Sequence, residues 1–286
     1  MATFETVLGD IGAQVSACHV GAERMREICE EMGWADVQGL ANEIVARSEE
    51  VTRAEIRKLP TGTWRHEALI DIVGGETLTI RTAVTIGNDE IVVDFSGSPA
   101  QVKPAINCTL TYTSAYTVFG VLCMLDLPVA VNEGTLRLIK VIAEEGSVLN
   151  CTFPAPVFGR TAIGNFLPDL VYQAIAPAAP DRVCAGAGAT PMWGQYMFGR
   201  RRDGANFAPF NVSSGGLGAR AARDGVSCLA FPYNVGNTPA EVIESEVPMI
   251  VEERSLWVDS AGPGRFRGGF GQKYVCLLYT SPSPRD

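Results

Sequence analysis

Within ten residues, Asn211–Arg220 (NVSSGGLGAR) brings together two hydroxyls, three glycines and a guanidinium. Gly216, Gly218 and Ala221 match the spacing G-x-G-x-x-A, which cradles a pyrophosphate when a strand leads in and a helix starts directly after. The flanking residues supply neither. Phe210–Val212 is a short strand at best, and Ala219–Ala222 runs into Asp224-Gly225 with almost no helix. Ser213 and Ser214 suit a turn better than a crossover. No G-x-x-x-x-G-K-[ST] segment occurs, so the sequence carries no P-loop.

Other groupings are thinner. His66-Glu67 opens like H-E-x-x-H, but Ile70 stands where the second histidine belongs. His19 and His66 are the only histidines, and the eight cysteines form no C-x-x-C pair, which argues against a zinc site. Ser213 and Ser214 have no evident partner base. Asn132-Glu133 and Glu241/Glu244 are the remaining polar candidates, each with a local structural reading. The first pair suits a turn before a strand. The second suits a capping box, with Thr238 as cap, Pro239 at the first helical position and Glu241 three residues past the cap.

These residues need a scaffold, and its pieces can be placed from periodicity. Leu8, Ile11, Val15, Cys18, Ala22, Met25 and Cys29 recur at three- and four-residue steps, predicting a helix over about 5–32. A second helix is predicted over about 35–59, ended by Pro60-Thr-Gly62. Residues 1–60 are thus read as a helical hairpin. Alternation then predicts strands over 63–72, 77–86 and 91–95, an antiparallel meander within 61–100. The rest, 101–275, reads as mixed: an apolar helix over 106–125, a strand over 136–143, a helix near 165–175, short strands around 207–212 and 226–231, and a strand over 249–258. Strands and helices do not alternate regularly, so the class is α+β, with glycine-rich loops in its later part. The last eleven residues, 276–286 (CLLYTSPSPRD), depart from this pattern and resemble the translation of a sequencing-library adaptor. That would place the natural limit near Val275.

Composition bounds the partners. With 286 residues and 47% hydrophobic side chains, the chain can bury a large core. A formal net charge of −9 argues against nucleic acid or an anionic membrane surface, and Arg200-Arg201-Arg202 is too short to reverse that. No apolar run reaches the ~18–20 residues of a membrane span. The first residues show no secretory signal. Reduced, mostly buried thiols in a cytoplasmic protein complete the expectation.

Six segments, in order, carry a resemblance: Leu8–Gln14 with Gly21, Asp94–Ser98, Asn132–Gly134, Ser213–Arg220, Asn237-Thr-Pro239 with Glu244, and Phe266–Gly271. Their order and spacing resemble the hydantoinase B/oxoprolinase family, which includes N-methylhydantoinase, part of 5-oxoprolinase and the large subunits of acetone-type carboxylases. The likeness runs from about residue 5 to Val275.

The resemblance implies a subunit of an ATP-dependent enzyme that opens cyclic amides of the hydantoin or 5-oxoproline type. A separate hydantoinase A-like subunit or domain would bind ATP/Mg and phosphorylate the substrate oxygen, and the B-like part would hold the activated ring. The family's divalent metal is bound by a His/Asp-rich region in the N-terminal half, before the equivalent of Met1. The sequence is therefore expected to be an inactive fragment of a longer protein, with no metal or cofactor of its own. Candidate substrate contacts are Asn132, Glu133, Ser213, Ser214, Gly215, Gly216, Gly218, Arg220 and Asn237. In NVSSGGLGAR, small residues would let backbone N–H groups approach an anionic substrate or intermediate, with Arg220 adding charge. Alternatively, the glycines only permit close strand packing. Two other functions stay open, an acetone-type carboxylase subunit and a non-catalytic assembly module.

Overall fold

The predicted helical periodicities appear as α1 (Phe4–Met32) and α2 (Gln38–Ile56). The computed structural model describes residues 4–72, 75–187, 192–201, 204, 206–207, 209–229, 231–232 and 235–279. The two helices follow one another, but only α2 is built into the core. Its Ser48, Thr52 and Ile56, spaced by four, are buried. Of the described α1 side chains only Cys29 is even half-buried.

Alternating residues form β1 (Gly62–Asp71), β2 (Thr77–Ile86) and β3 (Ile91–Asp94), an antiparallel meander in which Ala68 faces Ile80 and Val84 faces Val93. Leu78, Ile80, Thr82, Val84 and Ile86 all point inward, the period-two pattern of a sheet covered on one face. The helix α3 (Leu110–Met124) starts later than the apolar run because Thr109 is extended and its hydroxyl accepts a bond from the Tyr112 N–H. A single turn, α4 (Glu133–Leu136), takes the start of the predicted 136–143 strand. That leaves β4 (Ile139–Ile142), which joins β3 in parallel as a fourth strand.

Next come the turn α5 (Thr161–Gly164) and the helix α6 (Leu167–Ile175). α6 packs on α3 and across β1 and β2, closing a core that includes Phe95, Ile80, Met124, Leu149 and Leu167. Burying such side chains at about 25 cal/mol per Å² is the main force holding this layer together.

The later part is built from short two-stranded ribbons. They are β5 (Met192–Tyr196) with β8 (Phe210–Ser214), β6 (Gly199–Arg200) with β7 (Asn206–Phe207), and β9 (Met249–Leu256) with β10 (Gln272–Leu278). The helix α7 (Ala240–Glu246) precedes β9 and joins a second, smaller core of Phe207, Ile243, Val247 and Met249. β10 extends through Leu278, and its register against β9 shifts between Val275 and Cys276. Residues 280–286 lie outside the described residues.

Three expectations need correction. No strand forms over the described residues of 226–231; Leu229 makes only an isolated bridge to Gly215. The capping box before α7 is not made. Pro239 occupies the cap position without a side-chain bond, the Thr238 carbonyl accepts from the Arg254 guanidinium, and Glu244 accepts from the Val251 N–H at 2.7 Å. The thiols are all free, yet only Cys108 is fully buried, because Cys18 and Cys29 ride on exposed α1 and Cys276 lies on the exposed end of β10. Burial pushes the Cys108 thiol up to about 12. In the folded 286-residue chain by itself, iodoacetamide at neutral pH should therefore modify Cys18 readily and leave Cys108 untouched until unfolding. Peptide mapping of native Cys108 as alkylated would contradict the packing described.

Candidate functional site: a cleft walled by bare backbone

β8 carries Asn211, Ser213 and Ser214 into the interior, and the chain then leaves the ribbon at Gly215. No helix follows. Residues 215–220 instead run between neighbouring segments of backbone. The Leu217 N–H donates to the Val226 carbonyl (2.9 Å), and the Leu217 carbonyl accepts from the Gly269 N–H (2.8 Å). The Ala219 carbonyl accepts from the Ala185 N–H (2.8 Å), and the Gly215 carbonyl from the Leu229 N–H (2.9 Å). A crossover helix, the requirement of a dinucleotide site, is missing.

The glycines have a geometric purpose here. A methyl group on Gly216 would overlap the Gly269 carbonyl, and one on Gly218 would overlap the Ala185 carbonyl. Close packing of backbone on backbone is thus a requirement at both positions. It also leaves amides bare. Among the described residues, no protein acceptor is recorded for the Gly216 or Gly218 N–H.

Together with the 257–272 segment this layer lines a cleft of about 850 Å³. Trp257, Ser260, Phe266 and Gln272 line it along with Gly216 and Gly218. Gln272 heads β10, and its buried amide oxygen has no partner, while its amide nitrogen lies 3.9 Å from the Cys228 sulfur. Sequence reasoning marks Phe266–Gly271 only as a motif and misses Trp257, Ser260 and Gln272. No local pattern distinguishes these three, because they reach the site through the β9–β10 pairing.

The sequence candidates fall in four places. Gly215, Gly216 and Gly218 line the cleft. Ser214 and Asn237 meet behind it, where the Asn237 side-chain oxygen accepts from the Ser214 N–H at 3.2 Å. Ser213 is fully buried beside them, its hydroxyl without a partner. Arg220 lines a different hollow, about 350 Å³, together with Cys123, Tyr172 and Cys184. Burial there raises the Cys184 thiol to about 11, with Asp169 adding to the rise and Arg220 opposing it. Burial also raises the Tyr172 hydroxyl.

Asn132 and Glu133 line neither space. Asn132 caps α4, its oxygen accepting from the Gly134 N–H at 2.9 Å, and its nitrogen donates to the Ser48 hydroxyl at 2.7 Å. Glu133 is exposed and pairs with Arg137 at 2.8 Å.

The cleft does not suit a divalent metal. Its walls offer amides, aromatic rings and one hydroxyl, without the carboxylates or imidazoles that hold a divalent cation. Among the described residues no three His, Cys, Asp or Glu side chains could share an ion. None of the described helices is long and apolar enough to cross a membrane.

Comparison with known proteins places this architecture. The family model described as hydantoinase B/oxoprolinase matches residues 2–281. A putative D-/L-hydantoinase from Pseudomonas sp. (strain NS671), in its B-type subunit, is 32% identical over 280 residues, covering 93% of this chain and 47% of that protein. The crystal structure of the ATP-dependent caprolactamase from Pseudomonas jessenii superposes with a TM-score of 0.84 at 28% identity, covering 97% of this chain and 49% of that one. Nucleotide-free acetone carboxylase superposes at 0.82 with 18% identity, covering 98% of this chain and 40% of that one, a likeness of fold. The chain spans about half the length of the curated relatives it matches.

Proposed function

The chain belongs to the hydantoinase B/oxoprolinase family, and from that premise we propose that it forms one wall of the substrate site in an ATP-dependent enzyme that opens cyclic amides. ATP is bound and spent on a separate hydantoinase A-like subunit or domain, and any divalent metal is held by residues beyond those described. The carboxylase alternative has a fold likeness behind it and a more distant sequence relative, an acetophenone carboxylase delta subunit from Aromatoleum aromaticum at 25% identity.

The observation that carries the proposal is that one cleft is lined both by glycines whose N–H groups have no protein acceptor and by Gln272, whose amide oxygen has no protein partner. A cyclic amide has its carbonyl oxygen and N–H on the same edge. The Gly216 and Gly218 amides supply donors for the oxygen, and the Gln272 side chain, whose buried amide oxygen has no protein partner, turns into the cleft to accept from the N–H. Trp257 and Phe266 offer flat apolar surface for the ring.

The chemistry explains why fixed donors belong there. An unstrained amide carbonyl is a poor electrophile. Transfer of the ATP γ-phosphoryl group to its oxygen forms an O–P bond, releases ADP and leaves an activated carbon. Water adds to that carbon, the C–N bond breaks with the nitrogen taking up a proton, and a second water hydrolyses the resulting acyl phosphate to the carboxylate and free phosphate. Backbone N–H groups aimed at the oxygen stabilise the charge that develops without reorganising at the moment of reaction. Ser214 and Asn237 act behind the wall, holding the strand that delivers Gly216.

Gln272→Leu tests this directly. Losing a buried hydrogen bond to the substrate costs about 1–3 kcal/mol, so kcat/KM for ring opening by the complete enzyme falls roughly 10- to 100-fold. The melting temperature of the chain stays level or rises, since the replacement removes an unpaired buried carbonyl. Unchanged kcat/KM on hydantoin, 5-oxoproline and caprolactam would remove Gln272 and its cleft from the site.

A further inference from the structure

α1 is 29 residues long, about 43 Å, and its apolar stripe has no cover among the described residues. The stripe seen from Leu8 to Cys29 extends to Phe4 and Met32 with steps that alternate strictly between four and three. That is a heptad repeat sustained over four turns of the pattern, and it fits the seam along which one helix packs on another. Charge keeps clear of it. Asp10, Glu23, Arg24, Glu27, Glu30 and Glu31 all lie off the seam, and Arg24 pairs with Glu27 at 2.6 Å on the outer surface. Seam residues such as Ile11 (52% exposed) and Val15 (66%) face solvent.

A second feature points the same way. Gly9, Gly12 and Gly21 interrupt this helix although glycine is among the poorest helix formers. A methyl group at each would meet nothing within 4 Å. The glycines are thus unexplained by any packing within the described chain, and Gly12 and Gly21 flank the seam, where they would admit another backbone closely.

We propose that the α1 seam is covered by a helix from polypeptide beyond this sequence, of the kind that fills the other half of its relatives' length. The family match spans residues 2–281, so α1 belongs to the shared fold, while the chain covers only 49% of the caprolactamase that it superposes on. A second copy of the chain aligned in parallel fits worse. Paired with itself in register, the small group Cys18, Gly21 and Ala22 would face its own image and leave a void at the middle of the seam. A helix of different sequence can fill that place with large side chains. The inference rests on family membership and not on the cyclic-amide reading.

Cys18 lies on the seam and is exposed, so its alkylation reports cover. The 286-residue chain is compared with a full-length protein in which it replaces the matched 280 residues of the Pseudomonas sp. hydantoinase relative. Sedimentation of the chain alone should show a monomer with Cys18 alkylated at the rate of a free thiol. In the full-length protein the rate should fall at least tenfold, Val15→Asp should restore it, and Ser16→Asp on the outer face should not. Val15→Asp should also leave the melting temperature of the chain alone unchanged, which separates lost cover from lost folding. Equal Cys18 rates in the two proteins would overturn the proposal. So would a dimer of the chain alone in which Cys18 is protected, because the cover would then be a second copy.

Discussion

Gly218→Ala should cost the fold upwards of about 3 kcal/mol, enough to unfold much of the glycine-rich layer at room temperature. The added methyl would overlap the Ala185 carbonyl, and both partners are main chain, so no rotamer change can relieve the clash. The Ala219–Ala185 hydrogen bond lies beside it and would be lost with any separation of the two segments. Gly262→Ala, in the same cleft but with open space around its α-carbon, should change stability by no more than about 0.5 kcal/mol. Denaturant unfolding of the two variants measures the difference. Equal stabilities would mean that the segments do not approach as described and that the bare amides are not held in place.

The second large effect is expected at the junction of α2 and α4. A methyl on Gly134 would overlap the Val45 carbonyl and crowd the Glu49 N–H, so Gly134→Ala should also cost about 3 kcal/mol or more. The same junction is held by the Asn132–Ser48 bond and by a Thr52–Thr135 hydroxyl pair at 3.2 Å. Asn132→Ala, which removes a cap and a buried partner, should cost about 1–2 kcal/mol. Glu133→Ala should be close to neutral, because an exposed ion pair is worth about 0–1 kcal/mol. The series separates two roles for Asn132 and Glu133. If they touched substrate, Glu133→Ala would lower kcat/KM in the complete enzyme with stability unchanged. The junction geometry predicts the opposite ordering, with stability falling at Asn132 and Gly134 and turnover indifferent to Glu133.

Local pattern made much of the first half legible. The heptad of α1 and the alternation of Leu78, Ile80, Val84 and Ile86 fix element type by themselves, since each depends only on near neighbours. Where tertiary bonds compete, local signals fail. Thr238 and Glu241 spell a capping box, yet Arg254 takes the Thr238 carbonyl from β9 and Pro239 ends in the cap position. Asn132 was legible as a polar turn residue, but its bond to Ser48 crosses 84 positions and leaves no trace nearby. The glycine segment is the sharpest case. Its composition announced that backbone comes close to something, and only the pairing with Val226, Gly269 and Ala185 shows that the something is other backbone. Gln272, placed in the cleft by the ribbon register, was invisible for the same reason.

The most direct measurement follows ADP and ring-opened product together. The chain, completed by the remaining polypeptide of the family and supplied with an A-type ATP-binding partner, is incubated with hydantoin, 5-oxoproline or caprolactam. One of these rings should open with one ADP released per ring, and neither product should form when ATP or the partner is left out. Ring opening by the 286-residue chain without ATP would contradict the account, as would a completed enzyme that releases ADP while every ring stays closed.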